Sequence, residues 1–523
     1  MANAQLFKTR DAGLPLVDKQ NHSGNGAYSY SAKHHLAQLA VTGCFNSTFY
    51  VDASTQLSDV MAIAKDLDDR FIAQTALYAR RRGAMKDMPA LLVALLAARQ
   101  SPLLSSVFFE VIDSGKMLRN FVQMIRSGVL GRRSLGSRPK KLVQQWLNQA
   151  SEAQLLKASV GNAPSLADVI KMVHPKPQEA WREAMFAWLI GKPCDVGALP
   201  SYVKDLLAFR QAPQRAPVPQ VPFLLLSNET LSAEQWAAQA QTMSWQALRM
   251  NLNTLARHGV FKLPGMAQKV ALRLKDAHAI KQAGAYPYQL LAAWNNASAD
   301  IPGEVRKALQ DAMEVAVSNV PRLGGRVVVC PDVSGSMQSP ATGYRAGGTS
   351  KVRCIDVAGL MAAAVLRANP AARVLPFECN VVNIRLNARD SVMTNASRLA
   401  AIGGGGTCCS APLKQLIKEG AEVDTVIFVS DNESWIDASH RHQATSTMQA
   451  WARIKEKNPH ARLICIDIQP YGSTQAKEQP GILNVGGFSD AVFDIVSKFS
   501  QGDISESAEC WVKEIEEIAL VSI

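Results

Sequence analysis

The chain has 523 residues and a mass of 56.6 kDa, room for two to four domains, and its 47% apolar and 19% charged content excludes a disordered chain. Its 33 Gly and 25 Pro exclude collagen-like and low-complexity classes, and nine Cys scattered from Cys44 to Cys510, with no CxxC pair, exclude a disulfide framework or zinc ribbon. The net charge of +12 is unevenly held: residues 1–320 carry 36 basic and 23 acidic residues, whereas residues 321–523 carry 20 and 21, so a basic part suited to a polyanion adjoins a neutral part.

No apolar run reaches the roughly 18–20 residues of a spanning helix, and Met88–Ala98 reads as a buried helix. Met1–Asp18 has no signal-peptide core, so the expected location is cytoplasmic and reducing. From Ser31 to Val320 apolar residues recur at spacings of three and four, as in Leu166, Val169, Ile170 and Val173. Ser165 with Asp168 and Ser232 with Gln235 predict capping boxes. Nearly 290 residues of short helices predict an α-solenoid, although no repeat is legible by eye. Four prolines between Gln211 and Phe223 predict an extended strap.

The pattern changes at Gly324. Strands are predicted at Arg326–Cys330, Arg373–Phe377, Asn380–Leu386, Asp424–Ser430 and Ala461–Ile468, with helices at Arg353–Ala368, Pro412–Glu419 and Thr445–Lys457 between them. Such alternation defines a doubly wound α/β domain, whose ligands bind at the carboxyl ends of its strands. There the sequence places Asp332, Ser334 and Ser336 as DxSxS after the first strand, Thr407 after the glycines at 403–406, and Asp431 after the strand DTVIFVS. Two carboxylates and three hydroxyls are the oxygen donors that a hard cation takes. The set resembles the metal-ion-dependent adhesion site (MIDAS) of von Willebrand factor A domains. That resemblance implies magnesium, or manganese, with one replaceable position open to an acidic ligand. A haloacid-dehalogenase nucleophile is disfavoured because Ser334 stands where a second Asp is needed. Cys408 and Cys409 read as packed thiols, and the glycine-rich stretch Gln338–Lys351 as a mobile rim loop.

An A domain after a basic solenoid, together with SLADVIKMVHPKP (Ser165–Pro177), MSWQALRMNLNTLARHGV (Met243–Val260), AYPYQLLAAWNNA (Ala285–Ala297), DVSGSM and GGGGTCCSAPL, resembles the Ro family in its bacterial form. The resemblance runs from about residue 15 to 500. It implies a TROVE-type, HEAT-like helical ring over 1–323, closed by an A domain over 324–503. It also implies a basic central hole for single-stranded RNA 3′ ends and an outer surface for Y-type RNA. Residues 504–523 read as an acidic tail of unassigned role, longer than the family's usual end.

Lys116, Arg119, Arg126, Arg132, Arg133, Arg138, Lys140 and Lys141 fall in a stretch without acidic residues and are candidate phosphate contacts, with GRRSLGSRPKK as a loop. Lys157 and His174 match positions that the family uses for Y RNA, and Lys171 and Lys176 flank them. Gly161 replaces the Arg that the family carries four residues beyond its Lys. Of Arg80, Arg81 and Arg82, one or two are expected to pair internally. The reading that follows is a non-enzymatic, monomeric RNA-binding ring in non-coding RNA quality control or processing, with an exoribonuclease among its conceivable protein partners. The competing reading is a metal-dependent protein–protein adaptor to which RNA is incidental. A Mg²⁺-dependent hydrolase lacks an evident general base.

Overall fold

The computed structural model describes residues 13–43, 45–213, 216–226, 229–285, 287–344, 352–434, 444–502 and 508–520. A hairpin of β1 (Lys19–Gln20) and β2 (Gly26–Ser29) opens the described chain, and helices run from Ala32–Thr42 to Gly303–Ala316. Their starts are set by short polar side chains. Ser31, Asp52, Asp68, Ser114, Ser151, Ser165, Ser232, Ser244 and Asp276 each accept a first-turn amide, and each such cap contributes about 1 kcal/mol. Both expected capping boxes form, as does a third at Ser151 with Gln154. Met88–Ala97 is buried within the helix Asp87–Ala98. The described part of the proline strap is held on the helix Ala233–Thr242, where Gln235 donates to the Pro213 carbonyl at 2.8 Å and Gln239 to that of Pro219 at 2.8 Å.

The structure reveals the repeat that the sequence hides. Arg99 donates to the carbonyls of Ala64 and Leu67, Arg132 to Ala97, Arg182 to Leu147 and Ala150, and Arg273 to Ala240 and Met243. Each spans 30–35 residues and reaches the end of a helix in the preceding unit. The last carbonyls of a helix have no partner within it, and a cation there also suits the helix dipole. One Arg therefore both ends a helix and fixes the stacking of two units. Hydrogen bonds to charged groups contribute about 1.5–3 kcal/mol each.

The α/β domain holds a five-stranded parallel sheet in the order β4–β3–β5–β6–β8, from β3 (Val327–Pro331), β4 (Arg373–Val374), β5 (Thr425–Ser430), β6 (Arg462–Asp467) and β8 (Ile482–Gly486). Strands β3, β5 and β8 are buried along their length, as a sheet covered on both faces requires. The predicted strand Asn380–Leu386 does not form. Those residues fold back instead, with Val382 N–H donating to the Pro376 carbonyl at 2.7 Å and Val381 bridging Phe377. The fifth strand, β8, is absent from the sequence reading because Asn484 interrupts its apolar run. That side chain is buried and donates to Glu478 Oε2 at 2.6 Å.

Both ends of the solenoid rest on this domain. The helix Ala32–Thr42 packs on β8, and the helices Pro287–Asn295 and Gly303–Ala316 pack on the helices Cys354–Ala368 and Val392–Ala400. The domain thus closes the helices into a ring. The β1–β2 hairpin extends the closure by pairing with β7 (Ser473–Thr474). Residues 503–507 and 521–523 lie outside the described residues, but the rest of the expected tail is a clasp. The helix Cys510–Glu516 buries Trp511 fully against His34 and Tyr78, with ring centroids 5.1 and 6.2 Å away. Its acidic residues pair with lysines: Glu516 with Lys33 and Glu514 with Lys498, both at 2.5 Å. Gln74 donates to the Ile518 carbonyl at 3.0 Å.

Beneath this clasp lies Glu478. Burial pushes its carboxyl up to about 8, against the amide and side chain of Asn484, which donate to it. The folded chain keeps this proton after the unfolded chain has released it, so stability falls as pH rises from about 4.5 to about 8 and is level above. The Glu478→Gln variant mimics the protonated acid. Its urea midpoint is expected to vary less than that of the parent between pH 5 and pH 8, and a midpoint that falls as steeply as the parent's contradicts the assignment.

Candidate metal centre and nucleic-acid interface

The strand order passes from β4, on one side of β3, to β5 on the other. The direction of winding therefore reverses at β3, and the crevice opens at the carboxyl ends of β3 and β5. Asp332 and Asp431 occupy those two ends, both buried. Asp332 Oδ1 accepts the Ser334 amide at 2.9 Å, and Oδ2 accepts the Ser430 hydroxyl at 2.7 Å. Ser334 and Ser336 bring their hydroxyl oxygens within 3.4 Å of each other. The glycine loop lies alongside, with Gly335 N–H donating to the Gly405 carbonyl at 3.1 Å. Ser434 Oγ donates to the Thr407 carbonyl at 3.3 Å, which ties the threonine loop to the Asp431 loop. Gly405 has φ +73°, and a Cβ there would meet Glu378, so the tight approach needs glycine.

Burial raises the Asp332 carboxyl. Asp431 is raised well above its ordinary value by burial first, then by the charges of Asp332 and Glu433. Two facing buried carboxylates bonded to hydroxyls and amides are a donor set that a small hard cation satisfies. Asp332, Ser334, Ser336, Thr407 and Asp431 would hold it. Among the described residues, no three His, Cys, Asp or Glu side chains form a softer site. Sequence reasoning missed Ser430 and Glu433, which flank Asp431 in SDNE. It also could not place His22, whose backbone N–H and Nδ1 bond Glu433 at 3.0 and 2.9 Å from 411 residues away.

Cys408 and Cys409 are buried, packed thiols. Of the expected rim loop, residues 345–351 lie outside the described residues. The part before them is pinned to the first helical unit, because Tyr344 N–H donates to the Ser47 carbonyl at 2.6 Å and Asn46 to that of Thr342 at 2.9 Å.

The expected RNA residues divide into two groups. Lys116, Arg126, Arg133, Lys141, Lys157, Lys171, His174 and Lys176 are exposed, and Lys140 is half-buried. His174 caps the helix Leu166–Val173 in the left-handed conformation, with φ +51°. Lys141 and Lys176 line one groove with Gln144, Gln145 and Asn148. Arg119 is buried and takes a structural role, whereas Arg132 is half-buried and Arg138 exposed, and both also bond carbonyls of the chain. Arg119 is 8% exposed and donates to the carbonyls of Gly115, Val160 and Pro164, with the Val160 bond at 2.8 Å. Arg132 donates to Ala97, Ser134 and Leu135, and Arg138 to Ser101, Pro102 and the Ser105 hydroxyl. Their guanidinium groups hold the chain together. Gly161 belongs to this arrangement, since at φ +116° a Cβ there would lie 2.3 Å from Arg119 Nη1. The expected loop through Lys141 is also shorter, because a helix begins at Ser137 and accepts Pro139 in its first turn. Arg80, Arg81 and Arg82 are all paired, with Asp113, Glu110 and Asp494.

Fold and site together define a helical-repeat ring closed by a von Willebrand factor A-like domain. Residues 326–500 match the Ro60 vWA domain family. The likeness extends through the solenoid. The RNA-binding protein RO60 of Deinococcus radiodurans is 25% identical over 93% of this chain and 96% of its own, and that of Caenorhabditis elegans is 24% identical over 45% of this chain and 37% of its own. The crystal structure of the Deinococcus radiodurans RO (RSR) protein, 22% identical, covers 91% of this chain and 100% of its own with a TM-score of 0.62. The resemblance to the Ro family and the expected fold class are thereby borne out.

Proposed function

We propose that this protein is a non-enzymatic RNA-binding ring that works in non-coding RNA quality control or as a processing scaffold in the cytoplasm. The observation that carries the reading is the charge partition. The solenoid holds an excess of 13 positive charges, the A domain and clasp hold none, and every candidate RNA residue except Arg119 is exposed or half-buried. The relatives named as RNA-binding proteins support it. Structured, Y-like RNA binds the outer patch of Lys157, Lys171, His174 and Lys176, and single-stranded 3′ ends enter the basic hole. Mg²⁺ sits on Asp332, Ser334, Ser336, Thr407 and Asp431, where it offers a coordination site to an acidic group of a protein partner, such as an exoribonuclease.

Because the outer and inner surfaces are separate, the Lys157→Ala, His174→Ala double variant is expected to bind a structured stem-loop RNA roughly tenfold more weakly, while its affinity for a single-stranded tail stays within twofold. Fluorescence-anisotropy titrations of parent and variant with each RNA check this. Equal losses for both RNAs contradict two separate surfaces.

A further inference from the structure

We propose that the seam where the first unit, the last unit and the A domain meet is a nucleotide site, which takes an unpaired base in an apolar cleft and the adjoining phosphate on Arg82 and Lys281. This inference rests on the RNA-binding reading and gives it a location that the sequence did not suggest.

The cleft is small and is walled by Tyr78, Met85, Tyr288, Phe488 and the glycines at 486 and 487. Mostly apolar walls with a few polar groups are what small-ligand sites share. Tyr288 and Phe488 are half-buried and meet edge to face, with centroids 5.0 Å apart and planes at 85°. In such a pair at least one ring keeps its faces uncovered by the other, and a flat ring can slide along it. Ala84, on the same wall, holds φ +52°, a left-handed conformation that alanine does not prefer. The wall is therefore shaped by packing and not by local preference.

A second groove follows the same seam and includes Arg82, Lys281, Gly284 and Asp494. Arg82 and Asp494 are 61% and 63% exposed and touch at 3.4 Å, a solvated pair that a stronger anion can displace. Lys281 is exposed in the last turn of the helix Ala277–Gln282. An aromatic slot beside two exposed cations fits an occupant with a flat apolar part and an attached anion, which is a nucleotide. A base in a duplex is paired and stacked and cannot enter, so the occupant is single-stranded.

Full-length protein cross-linked in near-ultraviolet light to a single-stranded RNA containing 4-thiouridine is expected to yield adducts on the peptides that carry Tyr288, Phe488 or Met85. Phe488→Leu, which keeps an apolar wall, is expected to weaken single-stranded RNA about tenfold while leaving the stem-loop unchanged. Arg82→Gln with Lys281→Gln should flatten the dependence of log affinity on log salt by roughly 0.7 per lost phosphate contact. Adducts confined to residues 116–176, or equal losses of both RNAs in Phe488→Leu, overturn the inference. A parent protein that binds no single-stranded RNA contradicts the proposed function instead.

Discussion

In calorimetric titration, Asp332→Ala is expected to lose Mg²⁺ binding by more than about a hundredfold, since the loss of a ligand should exceed the 10–100-fold that outer-shell changes cost. Asp332 opens the DxSxS loop, is fully buried and stands beside Asp431. Without it the cation would face one carboxylate and three hydroxyls. Metal that binds only the folded state raises its thermal midpoint, so the parent should be stabilised by Mg²⁺ and the variant should not. RNA affinity should be unchanged, because the candidate RNA-binding residues lie in the solenoid. Unaltered metal binding in the variant removes the assignment. Loss of RNA binding in chelator, with the fold intact, means that the metal serves RNA directly.

Trp511→Ala is expected to open the C-terminal clasp. Removing a fully buried tryptophan costs about 3–5 kcal/mol, because a cavity replaces its contacts with His34 and Tyr78. Hydrogen–deuterium exchange in the helices Ala32–Thr42 and Asp69–Arg81 should then quicken by roughly a hundredfold or more, as local opening becomes easier. Exchange within twofold of the parent contradicts a clasp that holds the ring closed.

The sequence was most legible where local chemistry decides the outcome. Ser165 and Ser232 cap the helices they announced, and the DxSxS loop, Thr407 and Asp431 fall on neighbouring strand-end loops because strand alternation already fixes which ends meet. It was least legible where one residue type serves two purposes. Arg119 has the composition of a polyanion face, yet it is buried and bonds the chain's own carbonyls, and only the position of carbonyls about 40–45 residues away separates the two. The repeat carried by Arg99, Arg132, Arg182 and Arg273 escapes notice because a single Arg recurs while the apolar positions around it vary. Contacts across the whole chain, such as His22 with Glu433 and Gln74 with Ile518, leave no local trace, so the hairpin and the clasp emerged only from the structure.

The central claim is that the basic solenoid grips single-stranded RNA ends. It is tested most directly by measuring the affinity of the full-length protein for a duplex with a 3′ single-stranded tail, and for the same duplex with blunt ends, over a series of salt concentrations. The account predicts tighter binding of the tailed RNA, and a log affinity that falls with log salt at about −0.7 per neutralised phosphate of the tail. Equal affinity for the two RNAs, or an affinity that does not change between low and physiological salt, would contradict it.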